Sequence, residues 1–175
     1  GNGFVASEQI SLQFGDMTGI VTGSAADRGS FTLLFTVNTQ GYGTTNITVK
    51  DTLTQTRSAG TSTYRIMPRI IEFTPITGTV GCLVTISGNG YGAGSTVNII
   101  LGTTLRNGTL ASGGGSWTTT FTIDTQGYGP TTVIATGTTY FESDSRSFSI
   151  QPAIWQVTPS GGTVGATISI RGNGY

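Results

Sequence analysis

Four short motifs return along this chain at nearly constant spacing, and that internal repeat limits the possible folds more than any other feature. Gly1-Asn2-Gly3-Phe4 returns as Gly88-Asn89-Gly90-Tyr91 and again as Gly172-Asn173-Gly174-Tyr175. Gly29-Ser30-Phe31 returns as Gly115-Ser116-Trp117. Thr39-Gln40-Gly41-Tyr42-Gly43 returns unchanged as Thr125-Gln126-Gly127-Tyr128-Gly129. Thr74-Pro75 followed by Gly78-Thr79-Val80-Gly81 returns as Thr158-Pro159 followed by Gly162-Thr163-Val164-Gly165. The offsets are 87, 86, 86 and 84 residues, a period of about 85 with small loop deletions. That is too long for a helical or leucine-rich solenoid repeat. It suits a seven-stranded sandwich of roughly 100 residues or slightly fewer.

The local pattern agrees. Trp117, Thr119, Phe121 and Ile123 alternate with Ser116, Thr118, Thr120 and Thr122, and Phe31, Leu33, Phe35 and Val37 alternate in the same way one repeat earlier. Such a period of two puts one set on a core and the other in water. Val97, Ile99 and Leu101 form another inward set, and Phe148 and Ile150 a third. Residues 69–73, 83–86 and 132–136 read as further short strands, with Gly, Pro, Asn and Asp at the junctions. No stretch has helical periodicity. The expected fold is therefore all-β: tandem immunoglobulin-like β-sandwich repeats.

Proline marks the repeat boundary. Strands end near Ile66 and Ile150, and Pro68 or Pro152 follows before a new strand leads into the Thr-Pro turn. Proline is tolerated at a strand start or in a linker because it has no N–H to pair. The expected organisation is an incomplete repeat over residues 1–66 lacking its first two strands, a complete repeat over 67–151, and the first two strands of a third over 152–175. With no visible signal peptide at Gly1, the chain reads as a mature fragment or a window of something longer.

The opening of the complete repeat carries a family resemblance. Pro68-Arg69-Ile70-Ile71-Glu72-Phe73-Thr74-Pro75, then Gly78-Thr79-Val80-Gly81, then Val84-Thr85-Ile86-Ser87-Gly88-Asn89-Gly90-Tyr91 resembles the start of IPT/TIG-like immunoglobulin domains. Those domains read as a proline, an apolar strand, a Thr-Pro or Ser-Pro turn, a Gly-x-x-Gly step, a strand and a Gly-x-Gly-aromatic turn. The match recurs from Pro152 to Tyr175. The chain also looks like the tandem repeats of large bacterial and archaeal surface proteins. The resemblance implies a fold and a setting, and carries over no functional residue.

Composition excludes several functions. The 8 basic residues balance 8 acidic ones and are scattered, so no cluster faces nucleic-acid phosphates or an anionic membrane. No apolar run reaches the roughly 18 residues that cross a bilayer. There is no histidine, which removes Ser-His-Asp and Cys-His catalysis and the commonest zinc ligand. Cys82 has no Cys or His partner and corresponds to Ala166, so it reads as a small buried hydrophobe. Residues 88–93 fit a dinucleotide fingerprint in letters, but a strand follows where a helix is needed, and no acid stands near position 108. No cofactor and no catalytic residue is expected.

The remaining candidates are few. Glu142 and Asp144 are the only close carboxylate pair. Their Ser/Thr-rich surroundings, and an acid-free counterpart at residues 56–60, favour a solvated loop over a calcium site. On that reading Glu142→Ala should do little. Asn46-Ile47-Thr48 and Asn107-Gly108-Thr109 are glycosylation sequons, and Asn107-Gly108 also reads as a type I′ hairpin turn. Phe4, Tyr91 and Tyr175 read as caps on a core edge. Tyr42 and Tyr128 read as partly buried rings whose hydroxyls bond backbone.

Only 9% of residues are charged, against a usual ~25%. Thr, Ser and Gly must cover the surface, which suits a protein fixed in an assembly or coated with glycans. The functional reading is a structural repeat of an extracellular or cell-surface fibre, surface layer or stalk. The alternative is an adhesin or carbohydrate-binding module, whose mark would be exposed aromatics on one face. The expected partner is the chain itself: residues 152–175 of one copy complete residues 1–66 of the next, between chains or by covalent continuity.

Overall fold

A computed structural model describes residue 1, residues 3–53 and residues 58–175, with only the backbone described at 58 and 59. Asn2 of the first Gly-Asn-Gly-Phe, and residues 56–57 of the acid-free loop, lie outside the described residues. Fourteen strands and no helix occur among the described residues, and the fold is all-β. The strands are β1 Gln9–Phe14, β2 Met17–Ser24, β3 Gly43–Asp51, β4 Ser58–Ile66, β5 Arg69–Thr74, β6 Thr77–Gly78 and β7 Leu83–Asn89. They continue as β8 Thr96–Leu101, β9 Thr104–Leu110, β10 Trp117–Thr122, β11 Gly129–Gly137, β12 Ser143–Ile150, β13 Ala153–Thr158 and β14 Ser169–Asn173. The chain forms two compact units, one of Gly1–Asn38 with Gly43–Ile66, the other of Thr39–Tyr42 with Met67–Tyr175.

The second unit contains an immunoglobulin-like sandwich. One sheet has the order β10-β7-β5 and the other β6-β12-β11-β8-β9. β5 and β6 are successive stretches that change sheets at Thr74–Pro75, where the ring nitrogen leaves no N–H unpaired. Alternation fills the space between. Val84 and Ile86 from β7, Val97, Ile99 and Leu101 from β8, and Phe148 and Ile150 from β12 are all buried. Trp117 and Phe121 from β10 close the core beside Tyr91, whose ring meets the Trp117 indole edge-on at 5.4 Å. Gly88 is obligatory under that indole. A Cβ there would stand 2.7 Å from the ring and 2.7 Å from the Arg69 carbonyl oxygen.

A polar clamp ties the sheets together where β5 shifts register between Ile70 and Glu72. The Ile70 N–H donates to Asp144 Oδ2 at 2.8 Å, and Arg146 donates to the Ile70 carbonyl. Asp144 and Arg146 pair with each other at 3.2 Å. Both backbone groups of Ile70 are thus satisfied from the facing sheet, as a half-buried backbone requires.

The first unit has one four-stranded sheet, β2-β1-β3-β4. Its order matches β9-β8-β11-β12. Ile10, Leu12 and Phe14 from β1 and Val49 from β3 are buried on one face with Phe4, Ala25 and Ile66. Phe31, Leu33 and Phe35 pack against this face half-buried, as their alternation predicts. The expected strand over 31–37 is corrected, however. No ladder holds these residues among those described, whereas their counterpart β10 is held by β7 in the second unit.

The hairpin assigned to Asn107-Gly108 is corrected too. The turn lies at Gly102 and Thr103, between paired Leu101 and Thr104. Asn107 and Gly108 sit within β9 beyond a register shift. Asn107 Nδ2 donates to Thr119 Oγ1 at 2.8 Å and to the Thr120 carbonyl at 2.7 Å, bridging β9 to β10.

Trp117→Ala is expected to cost the second unit roughly 3–5 kcal/mol. Thr118→Ala, on the outward face, is expected to stay within about 0.5 kcal/mol. Urea unfolding of the two variants checks this, and equal losses would overturn the assignment of faces.

Candidate functional site

Two features of the Gly-Asn-Gly-aromatic segments build the candidate site, a locked turn and an open sheet face. In the second unit the turn after β7 puts Tyr91 fully inside, with its hydroxyl donating to the Ala135 carbonyl at 3.2 Å. The Tyr91 N–H donates to the Gly115 carbonyl at 3.1 Å. The next N–H, of Gly92, donates to Glu142 Oε1 at 2.7 Å, and the Tyr140 N–H donates to Glu142 Oε2 at 3.1 Å.

Glu142 is only 3% exposed, which corrects the solvated-loop reading. Its carboxylate fastens a turn 50 residues away in the chain. Asp144 is likewise engaged by the Ile70 N–H, so neither carboxylate is a loose surface charge. Among the described residues no group of three or more Asp, Glu, Cys or His gathers to hold a metal ion.

The first unit repeats the lock with other residues. The Phe4 N–H donates to the Gly29 carbonyl at 3.3 Å, and the Phe4 ring meets Phe31 edge-on at 5.5 Å. The next N–H, of Val5, donates to Glu8 Oε2 at 2.7 Å. Sequence reading missed Glu8. The signal available was an acid four residues after an aromatic turn, too common a spacing to single out.

The other candidates scatter. Asn46 is exposed on β3. Cys82 is half-buried against the second core, with Sγ 3.7 Å from the Leu83 carbonyl. Tyr128 is exposed, which corrects its expected burial. Tyr42 is half-buried, its ring 5.7 Å from that of Tyr140, and its N–H donates to the Tyr91 carbonyl at 3.0 Å. Tyr140 and its neighbour Phe141, 83% exposed at φ 56°, put two aromatic side chains at the surface.

The open face is the larger feature. Phe31, Leu33, Phe35, Leu12, Ile47 and Val49 line a groove of about 460 Å³ in the first unit. In the second unit the corresponding space is filled by Val84 and Ile86 of β7 and Ile70 of β5. Residues 153–173 repeat those strands as an antiparallel pair, β13 with β14. There Ile154, Val157, Ile168 and Ile170 stand where Ile70, Phe73, Val84 and Ile86 stand in the complete sandwich, and all four are exposed. Tyr175 is 76% exposed, whereas its counterparts Phe4 and Tyr91 are buried.

No family model and no curated protein matches the chain. Solved structures that resemble it include the central fibronectin-III array of RIM-binding protein, at 13% identity and a TM-score of 0.37, covering 97% of this chain and 69% of that one. The BSP domain of a biofilm associated protein gives 14% and 0.31, covering 83% of this chain and 25% of that one. The fibronectin(III)-like modules of Clostridium thermocellum CbhA give 10% and 0.30, covering 86% and 82%. The immunoglobulin-like assignment rests on the strand order and core described above.

Two measurements test the lock. Glu142→Ala strands the buried Gly92 N–H and the part-buried Tyr140 N–H, and is expected to cost roughly 1–3 kcal/mol in chemical unfolding. A loss within about 0.5 kcal/mol would return Glu142 to the surface. Burial pushes the Tyr91 phenol well above its usual range, and the charge of Asp144 acts in the same direction. The unfolded phenol ionises near pH 10. The stabilisation from a neutral, buried Tyr91 is therefore complete below about pH 10 and lost as pH rises further. The melting temperature of the wild-type second unit should fall more steeply above about pH 10 than that of Tyr91→Phe. Parallel curves would refute this.

Proposed function

We propose that this chain is a structural repeat of an extracellular or cell-surface fibre, surface layer or stalk, built from IPT/TIG-like immunoglobulin domains joined head to tail. The observation that carries the reading is a matched pair of surfaces. The first unit presents an apolar groove bounded by residues 31–35, and the β13–β14 hairpin exposes the apolar side chains that fill the equivalent space in the complete sandwich. Residues 152–175 of one copy complete residues 1–66 of the next, between chains or by covalent continuity in a longer polymer. The corresponding division is a complete repeat over 67–151 flanked by partial ones.

Burial stabilises such a junction by roughly 1.5–3 kcal/mol for each large aliphatic side chain removed from water. Association between separate chains opposes this by an estimated 4–15 kcal/mol. Four such side chains and a row of backbone hydrogen bonds are therefore the scale of contact a between-chain junction needs. A chain without histidine, in which the carboxylates of Glu8 and Glu142 accept from backbone N–H groups, supports a non-enzymatic role. The sparse charge supports a fixed, extracellular setting. Asn46, exposed on β3, is the better placed of the two sequons for a glycan, since both Asn107 amide donor bonds already serve β10. Exposed Tyr140 and Phe141 favour a second reading, an adhesin or carbohydrate-binding module, which hits on a glycan array would support.

The test joins the intact mass of the native protein to light scattering and electron microscopy of the purified chain. The expected result is either a native chain containing many such repeats or a short chain whose particles lengthen linearly with concentration. A short native chain that stays monomeric at every concentration would overturn the polymer.

A further inference from the structure

The loop between β11 and β12 of the second unit places a large apolar ring where the backbone favours glycine. Phe141 has φ 56° and is 83% exposed. Left-handed backbone is an outlier for a bulky residue, because its Cβ crowds the following carbonyl. Among the described residues fourteen glycines take a positive φ, and the only other residues that do so are Ser7 and Phe141. The chain therefore meets this backbone demand with glycine almost everywhere else, and glycine would fit at 141 without strain. Phe141 gains nothing from the core in exchange, since its ring lies in water. Backbone strain of this kind, with no packing to offset it, points to a contact outside the fold.

The frame beneath the ring is fixed. β11 and β12 pair as far as Thr136 and Ser143, and next to that pair the Gly137 N–H donates to the Glu142 carbonyl at 2.8 Å. The Thr138 and Thr139 N–H groups donate to the Oγ of buried Ser95 at 3.1 and 3.2 Å, and the Tyr140 N–H donates to Glu142 Oε2 at 3.1 Å. Four consecutive N–H groups thus have acceptors. The Tyr140 ring lies over Gly92, where a Cβ would stand 2.7 Å from it, and the Tyr42 ring is 5.7 Å away. A tip held in this way has little freedom left to lose on binding.

The chemistry of the tip narrows what it fits. Exposed Thr138, Thr139 and Ser143 flank the two rings in the loop, and exposed Tyr140 adds its own hydroxyl. The loop's one charge, Glu142, is turned inward onto the Gly92 and Tyr140 N–H groups. The surface therefore combines apolar ring faces with hydroxyls and lacks an outward charge. A pyranose is its complement, with C–H groups on one face and hydroxyls around the rim. An anionic lipid surface calls for Lys or Arg, and residues 137–143 contain neither. A protein partner calls for a broader apolar patch than two neighbouring side chains. Resting on the second reading above, we infer that the β11–β12 loop is a binding site for an uncharged glycan, with Phe141 stacked on a sugar ring and Tyr140 beside it.

Variants of the whole chain test this, read on a glycan array, in native gels containing hydroxyethyl cellulose, xyloglucan or galactomannan, and by sedimentation with phosphatidylcholine vesicles. Wild type is expected to bind at least one neutral glycan and to leave the vesicles in the pellet without it. Phe141→Gly is expected to weaken that binding roughly tenfold or more, as loss of a central aromatic contact does. The same variant should melt at the wild-type temperature or above it, since glycine relieves the left-handed backbone. Phe141→Tyr should retain binding. A lower melting temperature for Phe141→Gly would show the ring to be structural and overturn the inference. Glycan binding that survives Phe141→Gly would place the sugar site elsewhere, while the carbohydrate-binding reading stands. Binding to acidic glycans alone, or to the vesicles, would overturn the uncharged sugar as the ligand. A wild-type chain that binds no glycan in any of these measurements would overturn both the inference and the reading on which it rests.

Discussion

The pairing of β7 with β10 is the contact on which the sandwich depends. β7 fills the space between the sheets through Val84 and Ile86, and holds β10 on one side and β5 on the other. In the first unit the segment 31–36 keeps its alternation and its half-buried rings but joins no ladder among the described residues, and Val37 is exposed. A sheet edge is a request for a strand. In the second unit the request is met within the chain, by β7 on β10.

Around that contact the chain repeats one small device. An aromatic residue after Gly-x-Gly turns inward against the aromatic residue at the head of the alternating segment across from it, and a carboxylate receives the following N–H. The two versions differ in every polar part. Tyr91 sends its hydroxyl to Ala135 and relies on distant Glu142, whereas Phe4 has no hydroxyl and relies on nearby Glu8. What persists is a carboxylate oxygen accepting from the N–H that follows the inward aromatic.

Much of the fold was legible because period-two alternation and glycine punctuation are local signals. Val97, Ile99, Leu101, Trp117, Phe121, Phe148 and Ile150 are buried as their patterning predicts. The failures share a cause. Glu142 reads as a loop residue because nothing local shows that Gly92 will arrive beside it. Asn107-Gly108 carries turn chemistry, yet register with β8 places the turn at Gly102 and Thr103. A strand over 31–37 was expected from sequence, but strand status requires a neighbour, and a pattern cannot supply one. The candidate groove was legible as apolar side chains left without a partner.

The short strand β6 has a mechanical meaning. Thr77 and Gly78 run parallel to Ser149 and Ile150, near the places where the chain enters and leaves the complete sandwich. The bonds there are Ser149 N–H to the Ile76 carbonyl at 3.0 Å, Gln151 N–H to the Gly78 carbonyl at 2.8 Å and the Thr77 hydroxyl to the Ser149 carbonyl at 3.0 Å. Tension applied through the two chain ends pulls parallel strands past each other along their length. All of these bonds are then loaded together instead of one after another, as they would be if the strands were peeled apart. A few hydrogen bonds placed in shear can thus guard the core of a domain strung in a line under load.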